Sequence, residues 1–414
     1  MANNYDWDYH NPPEIAAHSL VKQQLLQSYI EKYVQVLTRV PGQEVLNLSI
    51  VDGFSGGGKY LTPNGTECAG SPLVTIRAVK AAEAIVNSNR HKPIHVKAEY
   101  HFIDEDQSAL EMLRMVLRDE GLADQIGETI YLHHGAYVDH HVPLLRHIRA
   151  RTLRSWRAIY ILDQYAYSDV PLPFIKTIFD QLNHPEVILT FGQDLLINYL
   201  TNDDRYRGIL TNIGWSSDNA HEFSQLKNEG SNWKRKAQAA LYGHIWKHSG
   251  ASHFTPFFIR AEKSRRAYWL VHLSNHFKAR DVMTELHWEK NNSFQHFGGA
   301  GLNMLGFDAL KVASENQIAF EFDQAANVLT GESLLADLPV EVFKRPRGAT
   351  FETLLNEVAN FSPATRSQFE EAVVGLRNFK ELEVLNQDGS IRPRTKTVKS
   401  SDIIRPAKQH YFKY

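Results

Sequence analysis

Short apolar runs rich in β-branched residues punctuate the chain, and each is followed by a stretch of helical periodicity. The strand-like runs are Leu48–Asp52, Ala98–Asp104, Thr129–His133, Ala158–Asp163 and Glu186–Phe191. Between and after them, Ser71–Asn87, Ser108–Asp119, Val142–Arg149 and Pro173–Leu182 read as helices. Strands this apolar, alternating with helices, predict a parallel sheet covered on both faces. Ahead of the first strand, His18–Val36 spaces Leu20, Leu25, Ile30, Val34 and Val36 among Lys, Gln and Glu, the pattern of an amphipathic helix. The first ten or so residues read as a loose arm.

Beyond the fifth strand the grammar changes. Residues 201–250 are polar and read as a helical insertion. Two β-rich runs follow, Thr255–Ala261 and Ala267–Leu273, joined by Glu262–Arg266, and so short a link predicts an antiparallel hairpin. Ala279–Trp288 reads as a helix and Gly298–Phe307 as a glycine-rich break. The domains expected are therefore residues 1–300 and 310–414. In the second, Thr350–Ala359 is helical, Ser362-Pro363 starts a longer helix through Phe369, Val373 and Leu376, and Leu382–Leu385 returns through Ser390–Arg394 across an Asn386–Gly389 turn. Two helices and a hairpin outline a winged helix-turn-helix.

Composition narrows the class. The 414 residues are 43% hydrophobic and 22% charged, which excludes general disorder and a collagen-like fibre. The single cysteine, Cys68, cannot form an internal disulfide or a cysteine-rich metal site, which fits a reducing compartment. No apolar run approaches the ~18 residues of a membrane span, and the polar N-terminus is unlike a signal peptide, so the expectation is cytoplasmic with no membrane contact. The net charge of −2 conceals an asymmetry: residues 388–414 hold seven basic side chains against Asp388 and Asp402. That tail reads either as a solvated face or as a contact for nucleic acid.

The candidate chemistry lies directly after the first strand, in Asp52-Gly53-Phe54-Ser55-Gly56-Gly57-Gly58-Lys59-Tyr60. Gly53 to Lys59 fits the phosphate-loop spacing, but Tyr60 stands where a small hydroxyl must reach Mg²⁺, and the loop runs on through Pro63, Asn64 and Gly65 before a helix begins. A nucleotide hydrolase is therefore the weaker alternative. The stronger reading is an S-adenosylmethionine site in a Rossmann-like methyltransferase sheet. That cofactor carries positive charge, and Asp52 ends the first strand. Gly53, Phe54, Ser55, Gly56 and Gly58 form a loop that can approach it closely. Asp104 ends the second strand, where a carboxylate can grip ribose hydroxyls. Asp163 ends the fourth, facing the methyl acceptor, with Tyr165 beside it to stack on that acceptor; Gly135 follows the third strand. These carboxylates fall where open α/β sheets bind ligands, although acidic residues after strands also serve simply as turn formers.

Together these elements resemble the three-Cys-motif partner protein family. The resemblance rests on His18–Lys22, Asp52–Gly58, Gly70-Ser71-Pro72-Leu73, Asp163–Tyr167 and Leu270–His276 followed by Ala279-Arg280, and covers roughly residues 15–290. It implies a methyltransferase-like fold, a C-terminal winged helix and a partner bearing a three-cysteine motif. Where the family carries Asp-Pro-Phe-Gly, this chain has Asp163-Gln164-Tyr165-Ala166, which removes a rigid turn and keeps open a non-catalytic binding module on the same fold. The histidines at 133, 134, 140, 141 and 147 include no His-x-x-x-His pair and read as solvated or capping residues, so no metal site is expected. His18 and Lys22 share a helix face, a surface pair by default, with a role as part of an active-site lid as the alternative.

Overall fold

The computed structural model describes residues 5–151, 156–164, 169–192, 243–260, 267–290, 295–296, 302, 320–392 and 396–408. Most of the expected insertion, Tyr165 and most of the glycine-rich break lie outside them. The chain divides into two compact units, residues 1–237 with 243–286, and residues 238–242 with 287–414.

In the first unit, α1 (Ala17–Leu37) precedes β1 (Val45–Asp52), a short hairpin of β2 (Lys59–Leu61) and β3 (Glu67–Ala69), and α2 (Ser71–Ser88). Then come β4 (His95–Asp104), α3 (Gln107–Asp119), β5 (Ile130–His134), α4 (Tyr137–Arg151), β6 (Trp156–Leu162), α5 (Leu172–Gln181) and β7 (Pro185–Gly192). Two further strands, β8 (His253–Arg260) and β9 (Ala267–Ser274), lead into α6 (Phe277–Glu289). The strands lie side by side in the order β5-β4-β1-β6-β7-β9-β8. β1 pairs in parallel with both β4 and β6, β4 with β5, and β6 with β7. β9 runs antiparallel to β7, and β8 to β9. This is the mixed α/β sheet with the late antiparallel hairpin that the alternation and the short link predict.

The order follows from burial. Leu48, Ile50 and Val51 of β1 are fully buried, as are Ile159 and Leu162 of β6, because successive residues point to opposite faces and helices cover both. From β1 the chain builds outward through β4 and β5, then crosses back to β6. At that reversal, helices leave the carboxyl ends of β1 and β6 on opposite sides and open a crevice. α1 is fixed by a buried polar cluster: Tyr29 Oη donates to Glu186 Oε2 on β7 and meets His272 Nε2 on β9 at 2.9 Å, and His272 Nε2 lies 3.0 Å from Glu186 Oε2.

The N-terminal residues are not loose. Ile15 N–H donates to Leu61 O at 2.8 Å, Leu61 N–H donates to Pro13 O at 2.9 Å, and Tyr5, Trp7 and Tyr60 pack ring against ring at 5.2–5.9 Å between centroids. Aromatic burial against the β2–β3 hairpin holds the arm, and the sequence pattern contains neither the hairpin nor this contact.

The second unit contains a helix that the hydrophobic pattern does not single out, α7 (Gln324–Phe343), capped by the Asp323 side chain accepting from Ala326 N–H. Gly331 and Pro339 interrupt its apolar spacing, yet Leu334 and Leu338 are fully buried. β10 (Gln295–His296) pairs with β11 (Phe320–Glu321), and β12 (Ala349–Thr350) precedes α8 (Phe351–Val358) and α9 (Arg366–Asn378). β13 (Leu382–Leu385) and β14 (Ile403–Pro406) complete a three-stranded antiparallel sheet in the order β12-β14-β13. Two expectations are corrected. The return strand is Ile403–Pro406, because Ile404 supplies the buried position (1% exposed), whereas Ile391 is 58% exposed and makes only an isolated bridge to Leu385. α9 starts at Arg366, because Thr365 and Gln368 form a reciprocal capping box that Ser362-Pro363 does not offer.

The capping box sets a prediction. Thr365→Ala is expected to lower the local stability of α9 by about 1 kcal/mol, read as faster amide exchange at Gln368 and Phe369. Unchanged exchange there would show that the box does not hold the helix start.

Candidate functional site

A cavity of about 370 Å³ opens at the reversal point, walled by the carboxyl ends of the central strands, the glycine loop, α1 and the N-terminal arm. The loop owes its shape to backbone bonds at each side. Gly53 N–H donates to Ile161 O on β6 at 2.9 Å, and Ser55 N–H donates to Ile103 O on β4 at 2.9 Å. The loop thus bridges both neighbours of β1. At Gly56, φ is +61° and a Cβ would stand 2.6 Å from the Tyr60 hydroxyl and 2.8 Å from the Trp7 ring. At Gly58, φ is +78° and a Cβ would meet Leu113 at 2.6 Å. Both positions exclude any side chain.

Of the residues selected from sequence, Phe54, Gly56, Asp104 and Asp163 line the cavity. Asp52, Gly53, Ser55 and Gly58 lie beneath its surface. Gly135 stands at the turn after β5, its N–H donating to Asp104 O at 3.0 Å, and does not line the cavity. Tyr165 lies outside the described residues. Asp104 is held by two amides, accepting from Gly56 N–H at 2.8 Å and Asp106 N–H at 2.9 Å; burial raises its pKa above the usual carboxylate value.

Asp52 is fully buried at the end of β1. Its Oδ1 accepts from Phe54 N–H at 3.2 Å, and the Ser71 side chain at the start of α2 also stands by the carboxylate and partly offsets the effect of burial. Burial pushes its carboxyl up to about 7, and the nearby charges of Asp163 and Asp104 push in the same direction. Three carboxylates therefore converge on one small volume, a field that favours a cationic ligand.

Lys22, for which the sequence leaves a surface pair as the default and an active-site role as the alternative, reaches this site. Its Nζ donates to both oxygens of Asp163, at 2.7 and 2.6 Å, with side-chain exposures of 12% and 39%. A charge whose carboxylate partner comes from a strand 141 residues away leaves no local signal. Gln164 is buried beside it, its Oε1 accepting from Val170 N–H at 2.9 Å. The cavity wall also includes Ser71, from the Gly70–Leu73 motif, together with Trp7 and Thr190, which no motif singles out.

The phosphate-loop alternative fits the local geometry poorly. Lys59 begins β2, its Nζ donates to Glu67 Oε1 at 3.1 Å and lies 4.4 Å from the Tyr9 ring centroid, and the next helix starts only at Ser71. The α2 N-terminus reaches the loop only after the β2–β3 hairpin, with Gly70 N–H donating to Gly58 O at 2.7 Å, and not directly after the lysine as a phosphate loop requires.

No protein-family model matches the chain, and no curated protein matches it. Among solved structures, it is similar to protein LPL1258 of Legionella pneumophila, with a TM-score of 0.37 and 9% identity over 64% of this chain and 89% of that one. It is similar to the bifunctional kinase-methyltransferase WbdD at a TM-score of 0.31 and 8% identity, over 62% of this chain and 39% of WbdD. It is also similar to an S-adenosylmethionine-dependent methyltransferase of Agrobacterium tumefaciens, with a TM-score of 0.31 and 8% identity over 63% of each chain. At these values the likenesses carry no functional weight; strand order and site geometry do.

Asp52 gives a pH prediction. Its native pKa is raised from 3.8 to about 7, so the stability it contributes at low pH is lost as pH climbs through that interval. Asn cannot ionise. Asp52→Asn should therefore gain stability relative to the parent between pH 4 and pH 7, by up to about 4 kcal/mol, and then level off. Unfolding of both proteins at pH 5 and pH 8 measures this; a difference independent of pH would contradict it.

Proposed function

We propose that the chain is an S-adenosylmethionine-dependent methyltransferase of the three-Cys-motif partner kind, with a C-terminal winged helix that directs it to nucleic acid or to a partner protein. The observation that carries the reading is the convergence of Asp52, Asp104 and Asp163 at the carboxyl edge of the sheet, close enough for their charges to act on one another. That arrangement suits a ligand bearing an ammonium and a sulfonium. Asp104 suits its ribose: two of its lone pairs take amides, and the others remain to accept hydroxyls. The backbone at Gly56 allows close approach, and Phe54, Ile161 and Ile188 supply apolar wall.

When bound, the cofactor supplies an electrophilic methyl group for in-line displacement. The protein's task is then alignment and exclusion of water. Asp163, held by Lys22, faces the acceptor side, and Trp7 and Tyr5 cover the cavity. Tyr165 is assigned to the acceptor on sequence grounds. In the second unit, Arg392 pairs with Asp402 and Arg405 with Glu383, so part of the basic excess is committed internally. Lys396, Lys399 and Lys408 are the proposed phosphate contacts. A second reading, a binding module without turnover, is favoured by one observation: Lys22 occupies both oxygens of Asp163.

Calorimetric titration tests the proposal. S-adenosylmethionine and its demethylated product are expected to bind at one equivalent, ATP is not, and Asp104→Ala should weaken binding at least tenfold, about 1.4 kcal/mol. No binding of either adenosyl ligand, or full affinity in Asp104→Ala, would overturn the cofactor assignment. Binding without consumption of the cofactor in the presence of nucleic acid or partner protein would favour the second reading.

A further inference from the structure

On the α4 side of β4, away from the cavity, three ligating side chains meet. Glu99 and His101 are two apart on one strand and so point to the same face. His147 comes from α4, and the three offer donor atoms that all lie within 4.8 Å of one another. His101 Nε2 is 3.5 Å from Glu99 Oε1, and His147 Nε2 is 3.5 Å from Glu99 Oε2. Two ligands of a tetrahedral zinc ion stand about 3.3 Å apart, so these separations need little adjustment. Glu99 and His101 are buried, and His101 Nε2 and His147 Nε2 both face the Glu99 carboxylate, whose Oε2 is otherwise met by Arg151. Two imidazole nitrogens turned to one buried carboxylate at more than hydrogen-bonding contact leave a point that an ion could occupy.

The outer contacts also fit. His101 turns its other nitrogen, Nδ1, to His133 Nε2 at 3.1 Å, leaving Nε2 for an ion. Glu99 Oε1 accepts from Ser49 Oγ at 2.7 Å, and Ser49 Oγ accepts from Trp156 Nε1 at 2.7 Å. Each proposed ligand except the half-exposed His147 is oriented by a partner, and the open side at His147 leaves a position for water. Arg151 Nη1 lies 2.8 Å from Glu99 Oε2, one helical turn beyond His147. It serves as counter-ion to Glu99, and an incoming dication would displace it.

We infer that Glu99, His101 and His147 form a zinc site that clamps α4 to the parallel sheet. Two histidines and a carboxylate match a borderline transition ion rather than Mg²⁺ or Ca²⁺, which take all-oxygen shells. The sequence pattern could not reveal it, because the ligands come from a strand and a helix 46 residues apart and share no motif.

Titration of metal-free protein with Co²⁺, followed by visible absorption and by competition with Zn²⁺, tests the inference. One equivalent of Co²⁺ should give the strong absorption of a four-coordinate site, be displaced by Zn²⁺, and be unaffected by Mg²⁺. His147→Ala, at a position 38% exposed and so compatible with folding, should weaken binding at least tenfold. Arg151→Gln should strengthen it by removing the competing cation. Absence of stoichiometric binding, or an affinity unchanged in both His147→Ala and Arg151→Gln, would overturn the assignment. Circular dichroism of both variants shows that the fold is retained.

Discussion

Two backbone hydrogen bonds, Gly53 N–H to Ile161 O and Ser55 N–H to Ile103 O, lash the loop after β1 to both of its neighbours. Each uses a strand carbonyl near the carboxyl edge, where the parallel ladders run out and polar groups would otherwise seek solvent. This constraint fixes where every other part of the site can stand. It turns the backbone so that Gly56 N–H meets Asp104, and it buries Asp52 at the end of β1 with Phe54 N–H on its carboxylate. Positive φ at Gly56 and Gly58 is the cost of that path, and only glycine meets it without strain.

The second constraint is the seating of α1. Tyr29 is anchored by Glu186 and His272 in a cluster shut away from solvent. Lys22 stands seven residues earlier, two helical turns along the same face, and is thereby delivered to Asp163. A helix held only by apolar packing has rotational freedom; the buried cluster removes it. The positively charged end of one element and the negatively charged end of another are thus brought together by a polar contact some ten ångströms of helix away.

The alternation of apolar strands and amphipathic helices made the sheet legible, because burial on both faces forces continuous apolar runs and helical faces show their period. The hairpin was legible because so short a link between two strands permits little else. The carboxylates at 52, 104 and 163 were legible as strand ends. What escaped notice depends on tertiary contact: Lys22 with Asp163, Trp7 with the glycine loop, and Glu99 with His101 and His147. A histidine run without helical spacing reads as solvated because the eye searches along one element, whereas this cluster is assembled across two. In the second unit, the return strand was misplaced because Ile391 and Ile403 are equally plausible by propensity, and only burial of Ile404 decides between them.

On the proposed function, the loop, Asp52 and Asp104 together form the receptor for a cationic adenosyl ligand. Crystallisation in the presence of S-adenosylhomocysteine, the demethylated product, tests this most directly. The claim predicts difference density in the cavity between the glycine loop and Asp104, with the adenosyl ribose against the Asp104 carboxylate and the amino-acid end towards Asp52. Density bound elsewhere, or a cavity filled only by solvent at saturating ligand, would contradict it.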